Sequence, residues 1–142
     1  MKSIINHELV HLLHQKTRLL EKEANATLSE YELYSAQWAI IYCLATQGPM
    51  VQAEIGKYLN VEAPTVTRTL RRMEEKDWIL REEGEDKRER LVRLSPRGEL
   101  KLPEIKRSMQ QMEATLLRDL NQAEKEQLYQ LLGKIKGDRD TV

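Results

Sequence analysis

Apolar residues at Ile5, Leu9, Leu12, Leu13, Leu19 and Leu20 recur at helical intervals and predict one long amphipathic helix over residues 4–26, with Ser3 placed to cap it. A polar link carrying Thr27, Ser29 and Glu30 leads to a second helix at 35–47. That helix is apolar nearly all round, so burial is expected, and Gly48-Pro49 ends it. A short segment at 51–59 sets Ile55 and Leu59 four residues apart, and Asn60-Val61 makes a tight turn into a further helix at 63–76. In that helix Val66, Leu70 and Met73 share one stripe, and Pro64 occupies the first turn, where its missing N–H does no harm. Rotation by the helical angle puts Arg68 and Arg71 opposite the stripe with Thr65 and Arg72 on its flanks, so the outward face is polar and cationic.

Beyond this helix the period changes. Trp78-Ile79-Leu80-Arg81 and Leu91-Val92-Arg93-Leu94 are short β-prone runs separated by a charged loop containing Gly84, which predicts a hairpin with more than a two-residue turn. Ser95-Pro96 then opens another helix, with Ser95 as cap and Pro96 at the first position. Leu102, Ile105, Met109, Met112 and Leu116 follow at alternating intervals of three and four, the spacing of a helix-pairing seam. Asn121 with Glu124 makes a capping-box start for a last helix carrying Leu128, Leu131, Leu132 and Ile135. The fold class is therefore mainly α with a small β-hairpin. The apolar stripes of the terminal helices outrun what one small core absorbs, which favours a second protomer as partner.

Composition narrows the class. The 142 residues fit one domain, and the charged fraction of 32% exceeds the ~25% of ordinary globular chains, as expected of long solvated helices. The formal net charge of +0 means that bulk charge cannot attract a polyanion; any favourable field must come from where side chains point. The start of the chain lacks the apolar centre of a signal peptide, and the longest apolar run, 38–45, is too short for a bilayer, so a soluble, cytoplasmic protein without membrane attachment is expected. The single cysteine, Cys43, excludes an intramolecular disulfide framework and a multi-cysteine zinc site; its apolar neighbours Ile40, Ile41 and Leu44 mark it as core.

The middle of the chain carries the candidate chemistry. A two-helix unit with a tight turn lays its second helix in the major groove of DNA, and the first turns of that helix meet base edges. Here those positions are Pro64, Thr65, Thr67 and Arg68. Arg68 is the foremost base reader, since a guanidinium donates two parallel hydrogen bonds to guanine O6 and N7, whereas threonine suits a base edge, a thymine methyl or a phosphate. Arg71 and Arg72 lie one turn further on and suit phosphates. The hairpin tip adds Lys87, Arg88 and Arg90, aimed at the adjacent minor groove, with Asp86 as an orienting partner for an arginine. The alternative is a protein-interaction module in which these arginines are solvated surface, Arg71 pairing with Glu75 at i, i+4.

Two further constellations stand outside that region. His7, His11 and His14 share one stripe of the first helix, alongside Arg18 and Asn25 and away from its leucines; this is a weak, open arrangement for zinc, which keeps a metal-responsive binder as an alternative although no metal or cofactor is expected. Tyr34, Trp38 and Tyr42 stand at successive i, i+4 positions and read as packing or as the wall of a ligand pocket. No serine or cysteine is set with a histidine base, and Glu74-Glu75 lie along a helix end, so no enzyme is expected.

The order of these elements resembles the multiple-antibiotic-resistance regulator (MarR) family of winged-helix transcription factors. The likeness rests on Gln52-Ala53-Glu54-Ile55 through Leu59, on Thr65-Val66-Thr67-Arg68, and on Asp86-Lys87-Arg88 followed by Leu91-Val92-Arg93-Leu94-Ser95-Pro96-Arg97-Gly98. It covers nearly the whole chain. It implies one domain, 1–142, in which a winged helix-turn-helix DNA-binding region at 35–98 is flanked by helical dimerisation regions at 1–34 and 99–142. It also implies a homodimer on pseudo-palindromic double-stranded DNA, Arg88 in the minor groove supported by Asp86, and repression relieved by a small aromatic or anionic effector. One position departs from the pattern: where such proteins carry glycine after the recognition helix, this chain has Asp77, which is expected to be left-handed.

Overall fold

In the computed structural model, residues 3–86 and 88–138 are described. They fold as α1 (Asn6–Leu28), a 3-10 turn (Ser29–Tyr31), α2 (Ser35–Gln47), β1 (Met50–Val51), α3 (Gln52–Leu59), α4 (Ala63–Glu75), β2 (Ile79–Glu83), β3 (Arg90–Leu94), α5 (Pro96–Leu116) and α6 (Gln122–Gly133). Two compact units divide the chain, 1–109 and 110–142, with the boundary inside α5.

The core of the first unit is built by the residues whose periodicity pointed inward. Leu28, Leu33, Ile40, Ile41, Cys43, Leu44, Ile55, Val66, Leu70, Met73, Trp78, Ile79, Val92, Ile105 and Met109 are all buried. Helix α2 departs from expectation: it buries Gln37, Ile40, Ile41, Cys43 and Leu44, while Tyr42, Ala45 and Thr46 on its other side stay exposed. Its near-continuous apolar sequence gives no face a clear preference, so burial is decided by packing. Ser3 does not cap α1, because the helix starts three residues later; the capping position falls to Ile5, whose side chain makes no hydrogen bond.

The sheet is antiparallel in the order β1-β3-β2. The hairpin pairs Ile79 with Leu94 through Glu83 with Arg90, and β1 adds only Met50 and Val51, opposite Val92 and Leu91. A two-residue strand has no alternation to read, which is why the hydropathy pattern does not reveal it. The same pairing puts Arg90 on a strand, not at the tip expected for it.

Among the described residues, three helical segments stop at a non-glycine residue with positive φ: Glu32 (58°), Asn60 (56°) and Asp77 (63°). Each stop has the same wiring. Leu33 N–H reaches Leu28 O and Glu32 N–H reaches Ser29 O; Val61 reaches Gly56 and Asn60 reaches Lys57; Trp78 reaches Met73 and Asp77 reaches Glu74. This is the Schellman termination, which satisfies orphan carbonyls at the expense of a left-handed residue. The left-handed Asp77 is as expected from its sequence position.

Immediately after Asp77 the chain is locked to α5. Ser95, fully buried, donates from Oγ to Asp77 O (2.6 Å) and accepts from Gly98 N (3.0 Å), so it caps α5 as expected. Gly98 is required here by space, because a Cβ would meet the Trp78 carbonyl oxygen at 2.5 Å. Arg97 completes the junction with its guanidinium over the Trp78 ring, 4.2 Å from the centroid.

In the second unit, Asn121 Oδ1 accepts from Glu124 N (2.8 Å) and Glu124 Oε1 from Asn121 N (2.9 Å), the expected capping box of α6. Leu128, Leu131 and Leu132 on that helix are exposed. No helix among the described residues is long and apolar enough to cross a membrane.

Candidate nucleic-acid interface

Helix α4 sorts its residues as the stripe requires. Val66, Leu70 and Met73 are buried, while Pro64, Thr65, Arg68, Arg71 and Arg72 are exposed. Arg68 Nη2 lies 3.4 Å from Thr65 Oγ1, a long hydrogen bond to a neutral group. The Arg71–Glu75 pair does not form, and among the described residues neither Arg71 nor Arg72 has a carboxylate partner. Among the described residues, then, no ion pair neutralises Arg68, Arg71 or Arg72, despite the zero net charge.

The hydroxyls of α4 are arranged differently from the arginines. Thr67 Oγ1 is 3.0 Å from Ala63 O and 2.8 Å from Gln52 Nε2; Thr69 Oγ1 donates to Thr65 O at 2.9 Å. Thr67 is only half-exposed. Of the four residues expected to meet bases, Thr67 alone has its hydroxyl bound on two sides within the protein.

The hairpin is held to α4 by an ion pair that no sequence spacing suggested. Arg81 Nη2 on β2 lies 3.0 Å from Glu74 Oε1 near the end of α4, and this hydrogen bond, with the adjacent positive charge, holds the Glu74 carboxyl below its ordinary range. In the loop, Gly84 N–H bonds Glu89 O and Glu89 N–H bonds Asp86 O, both at 2.9 Å. Asp86 orients Arg88 through the backbone: its Oδ1 accepts from Arg88 N–H at 3.1 Å, an Asx-type turn, and makes no contact with a guanidinium among the described residues. A short acidic side chain two residues before an amide reaches that N–H more readily than a distant side-chain head. Lys87 lies outside the described residues. Arg88 and Arg90 meet α3 and the start of α4 across a groove of about 650 Å³, whose lining includes Gln52, Lys57, Asn60 and Val66.

The remaining candidates are dispersed. Tyr34 is exposed, and its neighbours Trp38 and Tyr42 hold a tilted ring contact at 6.3 Å. None of the three lines that groove. His7, His11 and His14 are all exposed, the first two with ring centroids 6.4 Å apart. Asn25 does not share their solvated face, since its Oδ1 accepts from Ser35 N at 2.7 Å and fixes the start of α2. Cys43 is buried with Sγ 3.2 Å from Met50 Sδ, and desolvation pushes its thiol up.

A cationic helix following a tight helix-helix turn, with a basic hairpin beside it in a small antiparallel sheet, defines a winged helix-turn-helix. Residues 33–90 match the model of the MarR family. The chain is 51% identical over 124 residues to the uncharacterized HTH-type transcriptional regulator YwoH of Bacillus subtilis, covering 87% of this chain and 90% of the relative. It also resembles a mutant MarR from E. coli complexed with operator DNA (TM-score 0.84, 25% identity, 96% of this chain and 100% of that one). A MarR transcriptional regulator from Methanosarcina mazei shares the fold at TM-score 0.82 and 16% identity, over 90% of this chain and 93% of that one. The chain belongs to the MarR family, and it is a DNA-binding transcriptional regulator.

Proposed function

We propose that the protein is a cytoplasmic repressor that binds a pseudo-palindromic operator as a homodimer, each protomer laying α4 in a major groove and the Arg88 tip in the neighbouring minor groove. The observation that carries this reading is the outward face of α4, where Arg68, Arg71 and Arg72 are exposed without carboxylate partners among the described residues. Arg68 reads a base, Thr65 assists it, Arg71 and Arg72 hold phosphates, and Arg88 with Arg90 serves the minor groove. The resemblance to a MarR bound to operator DNA supports the same docking. On this reading 35–98 is the DNA-binding region, and the regions 1–34 and 99–142 pair two protomers. The exposed apolar residues of α1 (Leu9, Leu12, Leu19, Leu20) and of α6 (Leu128, Leu131, Leu132) support that pairing. The half-sites then lie about 10 bp apart, one helical turn. The Trp38–Tyr42 ring pair on α2, with Tyr34 before it, is the face offered to an aromatic or anionic effector.

Affinity for duplex DNA measured against salt tests the reading. The wild type is expected to show a steep negative slope of log affinity with log salt, Arg88→Ala a shallower one, and Arg68→Ala a loss of about 1–3 kcal/mol with relaxed preference at one position. Equal and weak binding of all three proteins to any duplex would overturn it.

A further inference from the structure

We propose that Gln52 is a positioning residue for DNA reading, and that by bonding Thr67 it withdraws the Thr67 hydroxyl from the groups that meet bases. The inference rests on the placement of α4 in the major groove proposed above.

A hydroxyl has one proton and two lone pairs. In Thr67 the proton is committed to Ala63 O at 3.0 Å, and a lone pair faces the Gln52 amide at 2.8 Å. Because the single proton is already used, the amide must present its N–H₂ to Oγ1. What remains on Thr67 is one lone pair, so it cannot donate to the major-groove acceptors N7, O6 or O4 without breaking the Ala63 bond, and it is left only as an acceptor for an amino group. Thr69 is spent in the same way on Thr65 O. Of the three threonines of α4, Thr65 alone has a hydroxyl proton without an acceptor among the described residues, and its oxygen faces Arg68. The helix therefore divides its labour: Thr65 and Arg68 face outward to read, while Thr67 faces the preceding helix.

The link is also mechanically placed to matter. Gln52 is the first residue of α3 and Thr67 lies on the second turn of α4, so one side-chain bond spans the whole helix-turn-helix corner. Elsewhere that corner is held by apolar contacts around Ile55 and Val66 and by the left-handed Asn60. Apolar packing resists separation better than it fixes a rotation, whereas a directional hydrogen bond from a side chain of α3 to one of α4 constrains both distance and direction. Thr67 adjoins Arg68, so a rotation of α4 on α3 displaces the reading guanidinium directly.

The test is selection from a random duplex pool, followed by affinity measurements, for the wild type, Gln52→Ala, Thr67→Val, Thr67→Ser, the Gln52→Ala/Thr67→Val double variant and Arg68→Ala. Thr67→Val keeps the shape of threonine without the hydroxyl, and Thr67→Ser keeps the hydroxyl. We expect Gln52→Ala and Thr67→Val each to weaken binding about three- to tenfold on every selected sequence, the scale of one hydrogen bond. The double variant should be no weaker than either single one, and Thr67→Ser should bind as the wild type does. The salt slope should be unchanged in all of these, since no phosphate contact is lost. If Thr67→Val instead relaxes preference at one base position, or Gln52→Ala binds as the wild type does, the inference is overturned while a preference lost with Arg68→Ala leaves the docking intact. If Arg68→Ala changes neither affinity nor preference, the docking itself fails and the inference falls with it.

Discussion

Helices α1 and α4 both carry apolar stripes, yet they treat them in opposite ways. In α4 the stripe is consumed by the chain's own core, with Leu70 and Met73 at 0% exposure, and the polar side faces outward. In α1 the leucines ahead of Ala24 remain outside it, Leu12 being 48% exposed, and the histidine-bearing side of the same helix is exposed as well. A stripe that is filled fixes the orientation of its helix and frees the opposite face for recognition. A stripe left open has its energy still to gain, and a second copy of the chain is the partner that symmetry makes cheapest.

Truncation separates the two cases most sharply. Leu70→Ala should destabilise the fold by about 2–5 kcal/mol in chemical denaturation, since the cavity is enclosed by residues that cannot all collapse into it. On the proposed pairing through α1, Leu12→Ala should leave the folding of a dilute protomer nearly unchanged but weaken dimerisation by about 2 kcal/mol, because the exposed half of Leu12 would be buried once in each protomer. Sedimentation across a concentration series reads that shift; an unchanged monomer-dimer midpoint would remove α1 from the interface.

The left-handed helix stops come next in size. Glycine at Glu32 or Asp77 should stabilise by about 0.5–1 kcal/mol, and at Asn60 by less, because asparagine tolerates that conformation better. Glu32→Gly acts after α1 and its 3-10 turn, Asp77→Gly after α4, so the pair asks whether either helix depends on its terminating residue for the behaviour just compared. A lowered melting temperature in both variants would mean that the acidic side chains contribute more than the backbone strain costs.

Much of this was legible beforehand because periodicity records burial. The inward stripe of α4, the Ser95 cap, the Asn121 box and the left-handed Asp77 each depend on residues within a few positions of one another. What escaped is non-local or too short to have a period: the two residues of β1, the Gln52–Thr67 bond across 15 positions, and the Arg81–Glu74 bridge between a strand and a helix end. Glu32 escaped for another reason, since nothing in an acidic side chain advertises positive φ. Misplacing the α1 cap on Ser3 shows the converse limit. A residue type with the right chemistry two positions too early caps nothing.

The smallest expected effect concerns how the outward face of α4 is tied to the hairpin. Arg81 holds Glu74 through a 3.0 Å hydrogen bond and lowers its carboxyl from the ordinary 4.5. A carboxyl that titrates lower in the folded state than in the unfolded one adds stability that is complete above the unfolded value. That stability is lost as pH falls through the folded value. The difference in stability between the wild type and Glu74→Gln should therefore be constant near neutrality and shrink on acidification below about pH 5. Glu74 is 40% exposed, so solvent screens the pair and the difference stays modest, shrinking further with added salt. Leu12→Ala, which removes no ionisable group, should show an acid limb parallel to that of the wild type. Two denaturation series against pH suffice to check this: if Glu74→Gln tracks the wild type at every pH, the bridge adds nothing to folding, and the buried packing of Trp78, Ile79 and Val92 holds the hairpin without it.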